Sequence, residues 1–225
     1  MHIEPGIVDG AKMVLGYVTA TGAIGYSAKL ALDTVKRDGV APLAVRALMA
    51  VVLVFSFFEI LPHYPVGVSE VHFILGSTLF LLLGAGPAAL GLALGLLVQG
   101  LFFAPADLPQ YGMNVTSLLV PLLLVDVMAR RIIPANTAYK DVSYGQALKL
   151  STAYQGGVVA WVGFWAVYGS GVGADNLAQI ASFSAAYMGV VIVEPLLDLA
   201  ILAAAKSLHQ LADSKLFQSR LYHAA

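Results

Sequence analysis

Residues Val40-APLAVRALMAVVLVFSFFE-Ile60 are the stretch that decides the class of this protein. The run is roughly 20 residues long, and at about 1.5 Å of rise per residue a helix of that length covers a hydrocarbon core of about 30 Å. Only Arg46 and Glu59 carry charge within it. Similar runs recur along the 225-residue chain, which is 59% hydrophobic and 11% charged, with a mean hydropathy of +0.83. Soluble domains carry about a quarter charged residues, so an ordinary cytosolic enzyme is excluded. An all-α polytopic membrane protein is expected, in a bacterial or archaeal plasma membrane.

Working outward, apolar stretches and breakers predict about seven transmembrane helices: Ala11 to Asp33, Val40 to Ile60, His72 to Leu83, Pro87 to Ala104, Asn114 to Ala129, Ala147 to Tyr168 and Asn176 to Ser207. The third is only about a dozen residues, too short to cross without tilt or a buried extension, and should form a tight hairpin with the fourth. The first carries Gly16, Tyr17, Thr19, Thr21, Gly22, Tyr26 and Ser27, too polar for lipid on every side, and should sit against other helices. No long linker intervenes. Residues 1–225 therefore read as one membrane domain, with an external segment over 1–10 and a cytoplasmic tail over 208–225.

Basic residues in short loops resist translocation. If the first helix runs from outside to inside, Lys29, Lys36, Arg37, Arg46, Arg130, Arg131, Lys140, Lys149, Lys206, Lys215 and Arg220 all fall at or near the cytoplasmic side, and Lys12 alone falls outside. The N-terminus is thus expected outside and the C-terminus inside. Glu4 and Asp9 replace the basic start of a signal peptide, and the bulky His2 disfavours methionine removal, so Met1 is expected to begin the mature chain.

Twelve Lys plus Arg against thirteen Asp plus Glu give a net charge of -1 with no basic block, which argues against nucleic acid as a partner. The absence of cysteine removes disulfides and thiolate chemistry. No Walker lysine motif, phosphate loop or nucleophile elbow occurs, so the chain is not expected to be an enzyme or to hydrolyse ATP itself.

What remains is nitrogen. The predicted topology puts His2, His63 and His72 on the outer face, and His209 and His223 on the inner one. The Met1 amine, the His2 backbone nitrogen and the His2 imidazole can chelate one ion in small rings, and a further imidazole completes four nitrogens. Such a set suits Ni²⁺ or Cu²⁺ and accommodates Co²⁺, whereas Mg²⁺ and Ca²⁺ prefer oxygen. His72 is the preferred fourth ligand because it is expected on a helix end, while His63 lies in a loop between Pro62 and Tyr64. Asn114 is expected to cap the fifth helix, to hydrogen-bond a metal-bound imidazole, or both. Gln99 divides between interhelical hydrogen bonding and support of the site.

Met1-His2-Ile3-Glu4-Pro5-Gly6 resembles the Met-His-Ile-x-x-Gly start of the CbiM/NikM family, the substrate-capture components of energy-coupling-factor cobalt and nickel transporters. Gly67-Val68-Ser69-Glu70-Val71-His72 resembles that family's Gly-Thr-Ser-x-x-His segment. Gly76, Gly86-Pro87, Gln99 and Leu101-Phe102-Phe103 follow in the expected order, and Gly112-Met113-Asn114 resembles its Gly-Ala-Asn turn. Glu194-Pro195-Leu196-Leu197 is a weaker match. Two positions depart from the pattern: Glu4-Pro5 reverses the commoner order, and Ser117 stands where a second Asn is usual. The resemblance implies that Met1, His2 and His72 hold Co²⁺ or Ni²⁺ as transported substrate, with the N-terminal segment plugged into the bundle. It also implies a transmembrane coupling subunit and a pair of ATPase subunits as partners, and leaves room for a small accessory membrane protein.

Other features have plainer readings. Asp126 and Arg130 are spaced for an intrahelical pair. Trp161, Trp165 and Tyr168 suit an interfacial belt. The small residues Ala23-Ser27-Ala31, Ala85-Ala89-Ala93 and Gly91-x-x-x-Gly95 suit close helix packing or docking of a partner. Glu194 and Asp198, deep in the last helix, suggest a structural or subunit-contact role. The competing functions are a scaffold subunit that binds no metal, and a self-sufficient carrier using Glu194 and Asp198.

Overall fold

The computed structural model describes residues 3, 5–208 and 214–224. Among them α1 spans Met13–Asp38, α2 Val40–Phe55, α3 Gly76–Leu83, α4 Ala85–Phe102, α5 Tyr111–Ile132, α6 Tyr144–Ser170 and α7 Ala174–Ser207. Two short strands, β1 (Tyr64–Val66) and β2 (Ser69–Val71), form an antiparallel hairpin between α2 and α3. The expected all-α class is therefore observed with this one small addition.

Local chemistry explains the boundaries. Gly39 (φ 96°) and Gly84 (φ 93°) turn the chain between α1 and α2 and between α3 and α4, in a backbone region that disfavours a Cβ. Ser143 and Gln146 form a reciprocal capping box that starts α6. The last turn of α2 widens into π geometry over Ser56–Ile60 before Pro62 ends it. Two boundaries need correction: the first helix runs past Asp33 to Asp38, where Gly39 turns the chain, and the third begins at Gly76 instead of His72. Residues 69–71 pair with the preceding strand, as β-branched Val71 favours, and the chain turns at His72, whose carbonyl accepts from the Ile74 amide at 3.0 Å.

Among the described residues four stretches are long and apolar enough to cross a membrane: Val40–Ile60, Ala85–Phe102, Pro105–Ile132 and Ala174–Ser207. Helices α1 and α6 have the length, 26 and 27 residues, but polar side chains dilute them. With 8 residues, α3 extends only about 12 Å and is enclosed by its neighbours.

Packing uses the small residues internally. A Cβ on Gly91 would stand 2.1 Å from the Ala50 Cβ, and one on Gly95 2.7 Å from a Val54 methyl, so α2 and α4 meet at backbone distance. Ala23, Ser27 and Ala31 are buried within the chain as well. Arg130 and Asp126 form the expected pair at 3.0 Å.

The stretch expected as a cytoplasmic tail, 208–225, is packed against the bundle over part of its length. His209 lies outside the described residues, but 214–224 fold back onto the bundle. The Gln218 backbone amide donates to Leu82 O at 3.0 Å, and its side-chain amide to Phe80 O and Leu81 O at 2.7 and 2.5 Å. These are carbonyls of the last turn of α3, where helical donors run out; Phe80 O also accepts the Gly84 amide at 3.0 Å. Buried Arg46 reaches Lys215 O at 2.9 Å and Asp38 Oδ2 at 2.7 Å. Losing a buried partner costs about 1–3 kcal/mol, so Gln218→Ala should lower the melting temperature in detergent and expose the 214–224 segment to protease. An unchanged melting temperature would show that the cap contributes nothing.

Candidate metal site

The site grows from the hairpin. Gly67 makes its turn at φ 62°, and a Cβ there would lie 2.1 Å from the Gln179 carbonyl oxygen of α7. Only glycine meets both conditions, which gives the sequence motif Gly67-x-Ser69-x-x-His72 a physical reason. The pairing Val66↔Ser69, Pro65↔Glu70 and Tyr64↔Val71 then delivers His72 to the end of β2.

His72 is 1% exposed. Its Nε2 lies 2.9 Å from Glu70 Oε2, an arrangement in which the carboxylate orients the ring. Phe58 packs edge-on at 4.8 Å between centroids, and His63 stacks at 4.9 Å with 19° between planes. The structure therefore brings His63 and His72 together, although the loop position of His63 had ranked it second. Glu70 was not singled out from the sequence; its signal is the two-residue spacing from His72, which places both on one face of an extended strand.

The N-terminal segment docks beside this hairpin. Ile3 forms an antiparallel bridge with Ser69, and its N–H donates to Asn114 Oδ1 at 2.9 Å. Ile3 and Val8 are both 1% exposed and pack with Met113 and Trp165. Trp161 Nε1 donates to Thr116 Oγ1 at 2.9 Å. Trp165 is thus a buried wall for the segment instead of part of an interfacial belt, because the plug covers the face that lipid would otherwise touch. Near the end of α6, a Cβ on Gly169 would lie 1.9 Å from Ile7 O, and Lys12 Nζ donates to Gly169 O at 2.7 Å.

Asn114 lies inside α5, not at its cap, since the helix starts at Tyr111. Its carbonyl oxygen holds the Ile3 amide. Asn114→Ala strands that buried N–H at a cost of about 1–3 kcal/mol, so metal affinity should fall by about tenfold if docking and capture are coupled. Titration of the purified variant checks this. Gln99 is buried on α4 and shares a small cavity with Asn114, and its Oε1 has no partner among the described residues. Met1 and His2 lie outside the described residues.

The family model described as the cobalt uptake substrate-specific transmembrane region, CbiM, matches residues 2–210. The chain belongs to that family. This CbiM-family chain is accordingly a membrane component of cobalt uptake, a transport protein whose substrate is cobalt. Comparison with curated proteins and with solved structures finds no match. The family match extends through the hairpin, His72, Asn114 and α7, well beyond the parts whose motifs are legible by eye.

Proposed function

We propose that this CbiM-family chain captures Co²⁺, or Ni²⁺ with the same donors, from outside the cell through the Met1 amine, His2 and His72. It then serves as the substrate-capture component of an energy-coupling-factor importer. The observation that carries this reading is the anchoring of Ile3: a residue 1% exposed, bridged to Ser69 and bonded to Asn114, holds the chain start next to the hairpin that ends in His72. Consecutive Cα atoms are about 3.8 Å apart, so His2 can reach no farther than one residue from that anchor. Glu70 and His63 complete the surroundings of the His72 ring.

In this reading residues 1–225 form one multi-pass unit in the plasma membrane, with the N-terminus outside and seven crossings, the third made by α3 together with the non-helical residues 72–75 before it. The exposed apolar side chains of α1, α2 and α7 face lipid. Partners are a transmembrane coupling subunit and ATPase subunits, with room for a small accessory membrane protein.

Calorimetric titration of detergent-purified protein with Co²⁺ and Ni²⁺ tests it, using the native N-terminus beside a version with a long histidine-free extension before Met1. Tight binding by the native chain and none by the extended one is expected. Equal binding by both would remove the amine from the ligand set. Ligand nitrogens bind metal only when unprotonated, and unperturbed imidazole and α-amino values are about 6.5 and 7.7–8.0. Protons compete at low pH, so affinity should climb from about pH 5 to about pH 8. A flat profile over that interval would contradict nitrogen ligation.

A further inference from the structure

Glu194 and Asp198 lie one turn apart on α7 and face the first turn of α3 and the middle of α6. They are 0% and 1% exposed. One residue bridges them: the Ser77 amide donates to Glu194 Oε1 at 3.2 Å, and its hydroxyl to Asp198 Oδ2 at 2.9 Å. Thr78 Oγ1 donates to Asp198 Oδ1. From α6, Ser151 Oγ and Gln155 Nε2 donate to Glu194 Oε2 at 2.6 and 2.8 Å.

All of these donors are neutral. Among the described residues neither acid forms an ion pair: the basic side chains with carboxylate partners are Arg37 and Arg46 on Asp38, His72 on Glu70, Arg130 on Asp126 and Lys206 on Asp141. The elements packed against the pair add no positive charge. Helix α3 contains no titratable residue. The titratable groups buried beside it on α6 and α7 are the hydroxyls of Tyr154 and Tyr187. In the hairpin, Glu70 and His72 engage each other, and in the Tyr139–Asp141 turn Asp141 engages Lys206.

Two carboxylates buried one helical turn apart and bridged by one residue, shielded from bulk solvent and without a countercharge among the described residues, do not both ionise, because neutral donors ease charge burial but do not cancel like-charge repulsion. The network also holds spare acceptors: Gln155 Oε1, Tyr154 Oη and Tyr187 Oη are buried with no partner among the described residues. The missing element is positive charge of negligible volume. A metal ion would have to displace donors already seated on all four carboxylate oxygens, whereas a proton needs no added space.

We propose that Glu194 and Asp198 jointly bind a single proton, which keeps α7 packed against α3 and α6 directly behind the segment carrying His72. The same Gln155 Nε2 that meets Glu194 donates to Ile74 O at 2.7 Å, and the Ile74 amide donates to His72 O at 3.0 Å. One side-chain amide therefore joins the proton site to the capture segment. Release of the proton leaves two repelling charges at this junction and loosens it. Binding of the proton stands on its own, independent of metal capture.

Infrared spectroscopy of the full detergent-purified chain tests this in water and heavy water. At neutral pH the wild type should show the C=O stretch of a protonated, unhydrated carboxylic acid, with a deuterium-sensitive frequency. In Glu194→Gln and in Asp198→Asn the band should be lost entirely, because a lone carboxylate keeps a full set of neutral donors. Absence of the band from the wild type, which needs no variant to observe, would overturn the proposal. So would its survival in either variant, which places the proton on one acid alone or elsewhere. Melting adds a second readout. An unfolded carboxylate gives up its proton above about pH 4 while the packed pair keeps the shared one, so wild-type stability should fall as pH rises from about 4 through neutrality, and Glu194→Gln should flatten that fall. Parallel pH profiles would count against the site.

Discussion

Alanine in place of His72 should abolish measurable Co²⁺ binding while leaving the helices in place. Removing a group that merely orients a metal ligand costs about 10–100-fold in affinity, so losing the ligand itself should exceed about 100-fold. The imidazole is buried between Phe58 and His63, and its truncation also leaves a cavity. His72→Asn keeps polar volume without the imidazole and separates the two effects. Both variants should lose binding by calorimetry, and the Asn variant should stay closer to wild type in melting temperature. Binding within about threefold of wild type in both would exclude His72 from the site, because loss of a ligand acts on a far larger scale.

Gly67→Ala should have the next largest effect, although Gly67 touches no metal. The new Cβ would stand 2.1 Å from Gln179 O and 2.8 Å from the adjoining carbonyl carbon, so backbone must move. A left-handed φ of 62° adds about 1–2 kcal/mol of strain for any residue with a Cβ. The hairpin can relieve both only by lifting from α7, which shifts Ser69 away from Ile3 and His72 away from its neighbours. A loss of at least about tenfold in Co²⁺ affinity, worth about 1.4 kcal/mol, is expected with helical content unchanged. Gly189→Ala, where a Cβ meets nothing within 4 Å, is the matched control on α7. Equal affinities for the two variants would show that the hairpin does not need its turn.

The membrane character and most of the helix positions were legible because composition and local breakers act over a few residues. The apolar run at Val40 to Ile60, the Gly39 and Gly84 turns and the i,i+4 spacing of Asp126 and Arg130 need no knowledge of distant partners. The short third segment is helical from Gly76, but its first four residues were assigned to the wrong state. Periodicity cannot separate strand from helix over so short a stretch, and the pairing of Ser69–Val71 with Tyr64–Val66 keeps the chain extended up to His72, so the helix starts only at Gly76.

The contacts that build the site are long-range, and for that reason they were not readable. Asn114 could be placed near a helix start, yet nothing local reveals that its oxygen holds the amide of Ile3, 111 residues away. Trp165 looks the same in sequence whether it meets lipid or a plug, and Gln218 looks like a tail residue until α3 presents its open carbonyls. Sequence alone determined which residues must leave water and which nitrogens could bind a metal, because transfer free energy and donor chemistry belong to each residue. Tertiary structure decided which of them meet, since burial of a polar group is tolerable only where the fold supplies its partner, as Ser77, Ser151 and Gln155 do for Glu194.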